Sequence, residues 1–172
     1  MKLQLFAHIL AASTLTLGVI STISQPSSAQ TRTYFCDTSG SVPTTVAKNV
    51  TGREIPVIRW VSNFGGEYTP TKRCQEVSAR FQNAYEKGLL NYLTTGIVKR
   101  QQVVCASSQY GGPCSDLLFT LKPNQNASSV IQNLVDIGYR ARGPIVQSED
   151  GSSQIYIDMN KLLRESPVQK GN

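Results

Sequence analysis

The side chains that carry most enzymatic chemistry are scarce in this chain. Its single histidine is His8, inside an apolar N-terminal stretch, so no imidazole follows Gln30. That removes Ser-His-Asp and Cys-His nucleophiles, the H-E-x-x-H zinc helix and histidine acid/base work. Neither G-x-G-x-x-G nor G-x-x-x-x-G-K-[ST] occurs, so no phosphate loop and no cofactor is expected. No lysine lies in an apolar run, so a buried-lysine dyad is also missing. Carboxylates remain. Glu76, Asp116, Asp136 and Asp158 fall in or near ordered segments, while Glu149-Asp150 beside Gly151 reads as a solvated turn. Two of them brought close together would support a carboxylate-based hydrolase or lyase, the alternative function. A concave pocket holding such a pair would be its signature.

Cys36, Cys74, Cys105 and Cys114 are the remaining reactive side chains. No pair has C-x-x-C spacing and no histidine can join them, which speaks against zinc. An even set in a small exported domain reads as two disulfides, with three pairings open. Short loops close at lower entropic cost, which favours Cys105 with Cys114 and Cys36 with Cys74. Gly111-Gly112-Pro113 supplies the turn for the first of these.

Binding chemistry is better represented. Arg59 and Trp60 end a β-like run, Tyr68 follows the Gly65-Gly66 loop, and Arg73 and Arg80 stand seven apart on one helix face beside Glu76. Guanidinium groups suit bidentate recognition of carboxylate or phosphate. Arg59, Trp60, Tyr68, Arg73 and Arg80 are therefore the candidate binding patch. Trp60 also alternates with Ile58, which is the pattern of a core residue. The formal charge of +6 becomes +5 once Lys2 is removed with the leader. This mild excess favours an anionic membrane surface, an acidic polysaccharide or an acidic protein. There is no basic cluster of the kind that binds nucleic acid.

The leader is residues 1–29. Lys2 is the only charge before Arg32, Leu3 to Ile23 is mostly apolar or small, diluted by Gln4, His8, Ser13 and Thr16, and Pro26 precedes Ser27-Ser28-Ala29. That is the order of a secretory signal peptide, cut between Ala29 and Gln30; an uncleaved anchor is the competing reading. Residues 30–172 then form one domain, with loose ends at Gln30–Thr33 and Ser166–Asn172.

Elements must bring these residues together. Tyr34–Asp37, Val42–Val50 and Ile55–Val61 read as an antiparallel meander, and Asn63–Tyr68 as a loop. Thr69 and Pro70 open a helix that buries Cys74, Val77, Phe81 and Ala84 or Tyr85 and ends at Gly88. Leu89–Val98 and Val103–Ser107 form a hairpin through Lys99–Gln102, and Leu117–Leu121 is another strand. Asn126 caps a second helix ending at Gly138 that turns Val130, Ile131, Leu134 and Val135 inward, and Gln154–Met159 is a last strand. The fold class is α+β, a mostly antiparallel sheet with two main helices stapled by two disulfides.

Taken together, several stretches resemble a family of cyanobacterial exported proteins, the circadian oscillating polypeptides. They include Phe35-Cys36-Asp37, Val42-Pro43-Thr44-Thr45, Ile58-Arg59-Trp60-Val61-Ser62, Tyr68-Thr69-Pro70 with Arg73-Cys74, and Glu76 through Gln82. Leu90 through Gly96, Gly112-Pro113-Cys114, Leu117 through Leu121 and Tyr156-Ile157-Asp158-Met159 extend the match over nearly the whole domain. The hairpin tip departs: Lys99-Arg100-Gln101 stands where an Asn-Gly turn is expected. The resemblance implies a cyanobacterial source and an extracytoplasmic, peripherally membrane-associated location in the periplasm, thylakoid lumen or outside the cell. It carries no catalytic residues. The function expected is a non-enzymatic binding module.

Overall fold

The computed structural model describes residues 33–136, 146–147 and 153–166. The leader, Gly138, Glu149-Asp150-Gly151 and residues 167–172 lie outside them, as do the side chains of Leu134, Val135 and Asp136.

Three strands open the domain. β1 (Tyr34–Asp37), β2 (Thr44–Lys48) and β3 (Glu54–Arg59) pair antiparallel in that order. The β2–β3 turn is built by Asn49, whose side-chain oxygen accepts from the Thr51 and Arg53 N–H groups at 3.1 and 3.0 Å. Pro56 is tolerated because β3 is an edge strand. α1 (Pro70–Glu86) follows. Its caps are those expected: Thr69 Oγ1 accepts from the Lys72 N–H at 3.2 Å. Gly88, at φ 69°, closes the other end, with its N–H on the Tyr85 carbonyl and the Leu89 N–H on the Ala84 carbonyl, both at 2.9 Å.

β4 (Tyr92–Val98) and β5 (Gln101–Ser107) form the expected hairpin, with Val98 opposite Gln101. The turn is therefore only Lys99 and Arg100, both at positive φ (50° and 64°). β6 (Asp116–Thr120) pairs with β5. Asn126 caps α2 (Ala127–Asp136) by accepting from the Ser129 N–H at 3.0 Å. β7 (Val146–Gln147) and β8 (Ser153–Gln154) pair with each other. β9 (Ile157–Asp158) joins β4, so the second main sheet runs β6-β5-β4-β9, again antiparallel.

The end of the chain corrects the expected last strand. Gln154–Met159 is broken into β8 and β9, and Met159 begins a third helix, α3 (Met159–Glu165). Asp158 caps it through the Lys161 N–H at 2.9 Å. Met159, Leu162 and Ser166 are buried, so Ser166 is no loose end.

α1 packs against β1 and β2 on one side and reaches β6 on the other, while α2 covers β4 and β5. One apolar core results, from Ala47 and Ile58 through Phe81 to Leu93, Val104, Ile131 and Leu162. Trp60 meets Phe119 edge-on at 5.7 Å and ties the two sheets together. Both disulfides have the favoured pairing. Cys36–Cys74 joins β1 to α1, and Cys105–Cys114 joins β5 to the segment before β6.

Candidate functional site

Residues 73, 76, 77 and 80 fall at helical spacing on one face of α1, next to β6. A loop folds over that face. Gly65 (φ 114°) and Gly66 (φ 53°) make its turn, and the Phe64 N–H donates to the Tyr68 carbonyl at 3.2 Å. Gln101, Phe119 and Thr120 close the far wall of a cavity of about 260 Å³, also lined by Phe64, Tyr68, Arg73, Glu76 and Arg80.

Arg73 is the centre of this site. Its guanidinium carbon lies 4.5 Å from the Trp60 ring centroid and 5.0 Å from that of Phe64. One nitrogen donates to the Ser62 carbonyl at a long 3.4 Å. Among the described residues it forms no ion pair with a carboxylate, although burial pulls its pKa down. Arginine stays cationic under such a shift. The result is a half-buried positive charge, held by π faces and open to a cavity.

The other expected patch residues divide. Tyr68 and Arg80 line the same cavity. Arg80 is also structural: it donates to the Leu118 carbonyl at 3.1 Å and stands 3.9 Å from Glu76. Trp60 is only 4% exposed, and its indole N–H donates to Thr45 Oγ1 at 3.0 Å. Trp60 thus acts on the site from beneath Arg73 and is not a contact surface. Arg59 is not brought in. It lines a separate groove of about 330 Å³ with Asp37, Glu54 and Pro56.

That second groove holds two carboxylates, each with a partner. The Ser39 backbone N–H donates to Asp37 at 2.8 Å and, with the Ser39 side chain, holds its carboxyl below the usual range. Glu54 pairs with Lys48 at 3.1 Å. Elsewhere Asp116 pairs with Lys87 at 3.3 Å and Asp158 caps α3. All four cysteines are disulfide-bonded. No group of three metal-ligating side chains occurs among the described residues, and no helix there is long and apolar enough to cross a membrane.

Sequence reasoning missed Phe64, Gln101 and Phe119. Phe64 carried a weak signal, an aromatic placed directly before a glycine pair. Gln101 and Phe119 carried none, because only the meeting of β5, β6 and α1 puts them at the cavity.

No curated protein and no solved structure matches the chain. The family described as Circadian oscillating protein COP23 matches residues 33–164, from just before β1 to the last turn of α3. The stretches that carry the resemblance all lie inside that span, and the chain belongs to the COP23 family.

Proposed function

We propose that the domain is an exported, non-enzymatic binding module that captures an anionic group of its partner, a carboxylate or phosphate, in the Arg73 cavity. The observation that carries this reading is the half-buried Arg73, packed on the rings of Trp60 and Phe64 and without a carboxylate of its own among the described residues. A guanidinium fixed by aromatic faces has already lost part of its hydration, so an incoming oxyanion displaces little water. The concave, aromatic-lined wall fits a group carried on a chain. The disulfides fit an oxidising compartment outside the cytoplasm. In the groove beside Arg59, both carboxylates are already engaged, which fits a binding role better than hydrolysis.

Binding to polygalacturonate and to phosphatidylglycerol vesicles tests the proposal and separates the two anion sources. Affinity for one of them falls as salt rises, through screening. Arg73→Gln weakens binding roughly tenfold or more, the scale of a lost charge-assisted hydrogen bond. Arg59→Gln leaves it unchanged. Equal losses for both variants, or binding indifferent to salt, would contradict the assignment.

A further inference from the structure

A second cavity, sharing no residue with the Arg73 site, has the opposite character. It measures about 370 Å³, and its lining includes Asn91, Tyr92, Gln109, Tyr110, Asp158 and Asn160. No cation and no aliphatic side chain is among its lining residues. Such a surface gives a phosphate no counter-charge and sets the Asp158 carboxylate against it, and it gives an acyl chain no aliphatic wall. Side-chain amides and a carboxylate offer the paired donors and acceptors that sugar hydroxyls can engage. Aromatic faces attract polarised C–H groups. We propose that this cavity is a binding site for neutral sugar units of a polysaccharide.

The site is built before any ligand arrives. Tyr110 is 40% exposed, yet its ring centroid lies 5.3 Å from that of Tyr156 and 6.0 Å from that of Tyr92. Tyr156 is 1% exposed, and its hydroxyl donates to the Gly112 carbonyl at 2.6 Å. Gly112 has no room for a side chain: a Cβ there would stand 2.7 Å from Ser107 Oγ. Ser107 Oγ and the Gly112 N–H both donate to the Gln109 carbonyl, at 2.9 and 3.1 Å. The Cys105–Cys114 disulfide closes the same loop. The Asn91 amide donates to the Ser108 carbonyl at 2.8 Å, and its backbone carbonyl accepts from the Met159 N–H at 2.9 Å.

The braced frame leaves polar groups for a ligand. One Asp158 carboxylate oxygen caps α3, and the other accepts no hydrogen bond among the described residues. The side-chain amides of Gln109 and Asn160 make none there either. An aromatic held by two others beside uncommitted amides needs little ordering on binding, which is where weak sugar sites otherwise lose affinity.

Titration of the full protein with cellohexaose, maltohexaose and mannohexaose, followed by NMR, decides the matter. Saturable binding of at least one of them is expected, with an affinity unchanged between low and high salt. Tyr110→Ala weakens it roughly tenfold, while Arg73→Gln does not alter it. Asn160 is solvent-exposed, so Asn160→Ala keeps the fold and serves if Tyr110→Ala fails to fold; it also weakens binding. No saturable binding to any of the three probes overturns the proposal. So does affinity that persists in both folded variants, or that is lost with salt. Loss with salt would point to charge and back to the Arg73 cavity, so failure here and failure there are separate results.

Discussion

Arg73 and Arg80 sit two turns apart on one helix face, yet their surroundings assign them different work. Arg73 rests on Trp60 and Phe64 and opens into the cavity, whereas Arg80 fastens α1 to the β6 carbonyl at Leu118. Arg80→Gln is therefore expected to lower stability by about 1–2 kcal/mol, the worth of a hydrogen bond from a charged donor reduced by the partial exposure of the side chain. Urea unfolding measures this, and an unchanged midpoint would show that the Leu118 contact is idle. Tyr34 supplies a second residue-scale test. Burial pushes its phenol pKa far above the ordinary 10, and neighbouring Tyr85 adds to the shift. A raised folded pKa gives stability that is complete below the unfolded value and is lost as pH rises past it. Stability should thus begin to fall above about pH 10, and the Tyr34 phenolate should appear only with unfolding. Early titration of Tyr34 in the folded protein would contradict the burial argument.

Among the elements, the β4–β5 hairpin carries visible strain. Its two-residue turn needs positive φ at both positions, a conformation that suits Asn-Gly and costs other residues about 1–2 kcal/mol each. Replacing Lys99-Arg100 by Asn-Gly should stabilise the protein by about 1–2 kcal/mol in the same unfolding assay. Destabilisation would mean that the two cations hold the tip in place. The hairpin was legible because two β-prone runs, Tyr92–Val98 and Val103–Ala106, flank a short polar gap. α1 was legible because Thr69, Pro70 and Gly88 carry start and stop chemistry that works without tertiary help. α3 was not. Ile155, Ile157 and Met159 alternate like a strand, while Met159, Leu162 and Leu163 repeat like a helix. Seven residues are too few for period alone to decide. The Asp158 cap and the bond from the Met159 N–H to the Asn91 carbonyl decide it, and that carbonyl lies far away in sequence.

On the scale of the whole molecule, the disulfides divide the labour. Cys36–Cys74 ties the first sheet to α1, and its removal by paired serines should cost about 4 kcal/mol in the chain-entropy account. Cys105–Cys114 closes a shorter loop worth about 2.7 kcal/mol. Thermal unfolding that ranks the two pairs the other way would show that packing outweighs loop closure. Global assembly also explains what the sequence hid of the site. Tyr68, Arg73 and Arg80 are close along the chain and were legible, while Phe64, Gln101 and Phe119 reach the cavity only through tertiary contact. Arg59 stays apart because β3 ends on another groove. The central claim is that Arg73 receives an anion, and the molecule carries its own reporter. Trp60 is the sole tryptophan, 4.5 Å from the Arg73 guanidinium. Titration with oligogalacturonate and with glycerophosphate, followed by Trp60 emission, should give a saturable change for one of them. That change should weaken with salt and vanish in Arg73→Gln. Saturable binding with no Trp60 response, or a response unaltered by Arg73→Gln, would contradict the claim.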